Sequence, residues 1–138
     1  MTIANVVCIS FKQEILDGLH SSSDVYKIAL YTSSAILNEN TTSYTTVGET
    51  SGVAYTPGGI VLSGYNKMTD GTSVILDWAD PIWTNSSFTA AGALIYNTSK
   101  SNRAVCCISF GTSKTSLNGE FKVVFPPPTS SSGLIVIS

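Results

Sequence analysis

Residues 91–110, AGALIYNTSKSNRAVCCISF, decide the fold. Two apolar runs rich in strand formers, Ala93-Leu94-Ile95-Tyr96 and Ala104-Val105-Cys106-Cys107-Ile108, flank a connector from Asn97 to Arg103 made of turn-building residues. The pattern predicts a β-hairpin. Neither run alternates between apolar and polar, so both faces of the hairpin are expected to be covered, by other parts of the chain or by a partner.

Working outward toward the N-terminus, Asp24 to Thr32 alternates as a strand, with Tyr26, Ile28 and Leu30 on one face and Val25, Lys27, Ala29 and Tyr31 on the other. Before it, Ser10 as N-cap, Gln13 three residues on, apolar Phe11, Ile15 and Leu16, and a stop at Gly18 predict a helix of about two turns. So short a helix must dock, through Phe11, Ile15 and Leu19. Ser33 to Gly59 has no strong apolar period and ends in Tyr55-Thr56-Pro57-Gly58-Gly59, which predicts a long excursion of the kind that binds or wraps a neighbour. Ile60 to Gly64 and Ser73 to Ala79 then bracket an Asp70-Gly71 turn.

Between these and the hairpin, Pro81 interrupts, Ile82-Trp83 resumes, and Asn85-Ser86-Ser87 reads as a turn. On the other side Gly111 to Gly119 reads as polar turn sequence, and Glu120 to Phe125 alternates with Phe121, Val123 and Phe125 facing one way. Pro126-Pro127-Pro128 should end the sheet. The expected organisation is a single β domain over residues 1–126, followed by a Pro/Ser linker and an apolar strand over 127–138. That terminal strand, Leu134-Ile135-Val136-Ile137, either pairs with a neighbouring subunit or folds back on its own sheet. The fold class is all-β, an antiparallel sandwich or open barrel with one short N-terminal helix.

The chain is 138 residues long with a net charge of −2, and only 12% of it is charged, about half the usual ~25%. A weakly charged surface offers little repulsion against self-association. The seven cations are scattered, which argues against nucleic acid as a partner. The three cysteines, Cys8, Cys106 and Cys107, do not form a disulfide framework and read as small buried hydrophobes in a reducing compartment. No apolar run reaches the ~20 residues of a membrane span, and MTIANVVCIS lacks a signal peptide's charged start, so synthesis in a cytosol and no membrane partner are expected.

Reactive groups are sparse. His20, the single histidine, has no second His or Cys at ligand spacing and suits a helix C-terminus. Asp77 and Asp80, beside Trp78 and Trp83, form the best acidic cluster, but strand-face and turn roles outweigh catalysis or calcium binding. The expectation is no catalytic residue, no metal site and no cofactor.

Five segments, taken in order, carry a resemblance: Ser10 to Gly18 (SFKQEILDG), Tyr26 to Ser33 (YKIALYTS), Tyr55 to Gly59 (YTPGG), Gly92 to Asn97 (GALIYN) and Phe110 to Lys114 (FGTSK). The series resembles a family of small virion structural proteins of tailed bacteriophages, notably those of cyanobacteria and other aquatic bacteria, over most of Ser10 to Pro126. The resemblance implies a decoration or cement protein bound to the outer lattice of the capsid, made in the host bacterial cytoplasm, with the major capsid protein and copies of itself, as dimer or trimer, for partners. No active site comes with it. The candidate assembly contacts are Ile3, Val6 and Val7 near the N-terminus, Tyr44, Tyr55 and Pro57 in the excursion, and Pro127, Leu134, Ile135, Val136 and Ile137 in the tail. Alternative readings are a tail or neck component, or a host-glycan-binding module stacking sugars on Trp78, Trp83, Tyr55 and Tyr65.

Overall fold

A computed structural model describes residues 2–138 of the chain. The expected hairpin is its centre, but each strand is far longer than its apolar run: β8 covers Ile82–Asn97 and β9 covers Arg103–Lys122. The turn is a short 3-10 helix, Thr98–Lys100, capped by the Asn97 side chain accepting from the Ser99 amide, with Ser101 and Asn102 left-handed at φ 56° and 60°. Strand β3, Tyr26–Tyr31, pairs antiparallel with β8, and the two-residue β5, Ile60–Val61, pairs with β3. On the other side β2, Val6–Val7, pairs with Cys106 and Cys107 of β9, giving the sheet order β2-β9-β8-β3-β5.

A second antiparallel sheet runs β10-β7-β6, with β6 at Asn66–Asp70, β7 at Ser73–Asp77 and β10 at Ile135–Ile137. The architecture is all-β and sandwich-like, as the sequence predicts. The one parallel ladder among the described residues joins β1, Thr2–Ile3, to β4, Ile36–Leu37.

Both faces of the central sheet are covered, and by this chain. Residues paired across strands share a face, so Tyr31, Leu94, Tyr96 and Cys107 point one way, beneath Ile3, Leu37 and Tyr44. Tyr44 stacks on Tyr96 at 4.8 Å between ring centroids. Tyr26, on the opposite face, lies 5.8 Å from Tyr65 and 5.3 Å from Trp78, the rings that precede β6 and follow β7. Close approach here requires glycine. A Cβ on Gly92 would sit 2.6 Å from both the Ile108 carbonyl and Ile3 Cγ2, and one on Gly59, at φ 80°, would overlap the Ile28 carbonyl oxygen at 1.7 Å.

Several sequence expectations change. Asn85-Ser86-Ser87 and Gly111 to Gly119 lie within continuous strands interrupted by bulges, not in turns, with Asn85, Gly111 and Asn118 at φ 51°, 83° and 50°. A bulge needs a residue tolerant of positive φ just as a turn does, so the two share one local signature. The Asp-Gly turn is present, but its first strand is Asn66–Asp70. Ile60–Val61 joins β3 instead.

The helix α1 is Ile9–Leu16, with Cys8 as N-cap and no side-chain cap. Ser10 lies inside it with its hydroxyl buried and unpartnered. Gly18, at φ 72°, ends the helix as expected: its amide reaches the Ile15 carbonyl and the Leu19 amide the Glu14 carbonyl, the paired bonds of a Schellman end. Phe11 is buried, whereas Leu16 faces outward.

Candidate assembly surface

The excursion from Ser33 to Gly59 wraps the chain's own sheet, and one carboxylate organises it. Glu49 accepts from the Tyr44 hydroxyl at 2.6 Å, the Tyr55 hydroxyl at 2.5 Å and the Gly58 amide at 2.7 Å. The Tyr55 oxygen in turn accepts from the Leu30 amide of β3 at 2.9 Å, and the Tyr96 hydroxyl donates to the Gly58 carbonyl at 2.5 Å. Burial, then the Glu49 hydrogen bond, raises the phenols of Tyr44 and Tyr55 above their ordinary range; burial and the nearby Glu49 charge push Tyr96 up to about 12. These phenols stay protonated as donors. Tyr44 and Tyr55, expected as assembly contacts, are thus committed to fastening the excursion, while Pro57 is exposed.

The termini are likewise engaged in cis. Ile3 is buried against the Gly92 face, and Val6 and Val7 are half-buried beside β9. β10 lies antiparallel on β7, Ile135 opposite Leu76 and Ile137 opposite Val74, so in this chain the terminal strand folds back on its own domain. Ile135 is 2% exposed and Leu134 packs on the core, whereas Val136 is half-buried and Ile137 and Pro127 remain exposed. The sequence alone leaves the partner of residues 134–137 open because β7 lies about sixty positions upstream.

What stays open is the outer edge of β9. β2 covers only Cys106 and Cys107, and among the described residues no strand pairs with that edge from Ile108 to Lys122. A groove of about 860 Å³ runs along it, walled by Ile108, Phe110 and Phe121 of β9 and by Phe125, Pro127 and Leu134 of the returning tail. Val124 on its rim is 70% exposed, and Leu117, at the β9 bulge beside Asn118, is 81% exposed. This surface is hidden in the sequence because Gly111 to Gly119 reads as a turn; the apolar Leu117 inside a polar run is the one signal of it.

His20 Nε2 lies 2.9 Å from Glu14 Oε1, and its Nδ1 lies 2.9 Å from the Asn97 amide nitrogen, so the ring accepts from Asn97 and donates to Glu14. Arg103 donates to the second Glu14 oxygen at 2.8 Å, and Lys100 and Asn97 both donate to Asp24. This staple joins the end of α1 to the turn of the central hairpin. Asp80 accepts from the Phe125 amide at 2.9 Å, a turn role. Asp77 Oδ1 is buried without a partner, and desolvation, with a smaller push from Asp80, raises its pKa. Trp78, Trp83 and Tyr55 are buried and Tyr65 packs on Trp78, so these rings offer sugars no stacking platform. Among the described residues no three metal-ligating side chains converge, and no helix is long and apolar enough to cross a membrane.

No protein-family model, no curated protein and no solved structure matches this chain.

Proposed function

We propose that this chain is a structural protein of a tailed-phage virion, a decoration or cement protein that stabilises the head by binding its outer lattice. The observation that carries the reading is the open β9 edge: an unpaired strand beside a partly apolar groove, with Leu117 and Val124 outward, on a surface of low charge. The five-segment resemblance to phage virion proteins supports the setting. Mechanistically, β9 offers backbone donors and acceptors to an extended capsid segment, and the groove takes that segment's apolar side chains. Fully burying Leu117 or Val124 contributes ~1.5–3 kcal/mol each. Repeated at every symmetric site, such a gain raises the temperature at which a filled head bursts.

The test compares heads assembled with and without the protein. Heads lacking it are expected to release DNA at lower temperature, and equal robustness, or no binding to heads at all, defeats the proposal.

A further inference from the structure

Cys8, at the junction of β2 and α1, and Cys107, on β9, place their sulfurs 3.9 Å apart across a sequence separation of 99 residues. Both thiols are free, and both belong to the face of β9 that the N-terminal segment covers. Strand alternation turns Cys106 to the opposite face, out of Cys8's reach. We propose that Cys8 and Cys107 are a dithiol site that closes to a disulfide under oxidising conditions and locks the N-terminal segment onto β9.

The sulfurs must approach to about 2.05 Å, which needs rotation of the two side chains and a small shift of one backbone toward the other. The N-terminal segment can make that shift. It is held by two-residue ladders to β4 and β9, with further backbone bonds from Ala4, Cys8 and Ile9. Short terminal ladders open at low cost, and that opening admits a reagent to sulfurs that are otherwise covered. The Cys8 S–H···S bond, with the Thr41 hydroxyl, favours the thiolate of Cys107 against the cost of burial, and the same bond and burial hold Cys8 protonated. The Cys107 thiol donates in turn to the Asn38 carbonyl at 3.6 Å, so its attack begins once the segment opens and frees that sulfur.

The oxidant is a small-molecule disulfide such as oxidised glutathione. The Cys107 thiolate attacks one of its sulfurs and displaces a thiolate. Cys8, deprotonated, then attacks the Cys107 sulfur of the mixed disulfide and displaces the second. The protein loses two electrons and two protons, and the reagent leaves as two thiols.

The full chain is incubated with oxidised glutathione, then alkylated and digested with trypsin. Cleavage after Lys12, Arg103 and Lys114 places Cys8 in peptide 1–12 and the other two cysteines in peptide 104–114. The expected product is the two peptides joined, with fragment ions assigning Cys107. Closing a loop this long should raise the melting temperature by roughly 5–15 °C. Cys106→Ala should leave the cross-link intact, and Cys8→Ala should abolish it. Alkylated thiols on all three residues, a bond within peptide 104–114, a mixed disulfide that persists, or an oxidised form that melts no higher than the reduced one would each overturn the proposal.

Discussion

Asp77 shows how one side chain can work against the fold that surrounds it. Its carboxyl is raised by burial, so the folded state holds the proton more tightly than the unfolded chain does. Stability from this group is complete below the ordinary carboxylate range and is lost as pH rises through the raised folded value. Asp77→Asn should flatten that decline and melt higher than the parent at neutral pH, measured as melting temperature from pH 3 to 8. Asp24 has the opposite sign. Desolvation opposes its charge, but the hydrogen bonds from Lys100, Asn97 and Ser21 prevail and lower its pKa, so its contribution is present above the ordinary range and lost as pH falls through the lowered value. In an Asp77→Asn background, acid destabilisation should therefore persist, and adding Asp24→Asn should weaken it.

Glu49 is a third residue whose role only the tertiary structure discloses. Removing a charged acceptor that serves two phenols and one amide leaves buried donors unpaired. Glu49→Ala should cost about 2–4 kcal/mol by denaturant titration and raise amide exchange at Leu30, whose N–H is held by Tyr55. A change under about 0.5 kcal/mol would show that the excursion is fastened elsewhere.

Among the elements, β10 is the one whose removal tells most. Its Ile135 is buried on the core, and it covers the β7 edge that would otherwise offer unpaired backbone to other molecules. Ile135→Ala should destabilise by about 2–5 kcal/mol, the usual range for emptying a well-packed site. Deleting residues 129–138 should go further and produce aggregation visible by light scattering, because an exposed strand edge replaces a paired one. A truncated chain that stays monomeric and equally stable would show that the tail is dispensable.

For the molecule as a whole, the division of labour is between surface that holds the fold together and surface left over. Leu117→Asp and Val124→Asp alter exposed positions, so melting temperature should change little, within about 0.5 kcal/mol. Under the proposed function, the same pair should weaken binding to phage heads by about a hundredfold, each lost contact of ~1.4 kcal/mol being worth a factor of ten. Full occupancy by the double variant would move the binding surface away from β9.

The sequence by itself determined the central hairpin, the tight Asp70-Gly71 turn, where the short helix stops at Gly18, and that the central hairpin must be covered on both faces. Those features follow from the period of side chains along a strand and the φ that glycine permits, and neighbouring residues suffice to express them. Only the tertiary structure decided what does the covering: the two-residue strands β1, β2, β4 and β5 are too short to carry a period, and the tail's place on β7 depends on a partner far away in the chain. It also decided that Asn85, Gly111 and Asn118 bend strands instead of ending them, since a bulge and a turn ask the same of a single residue and differ only in whether the neighbouring strand continues.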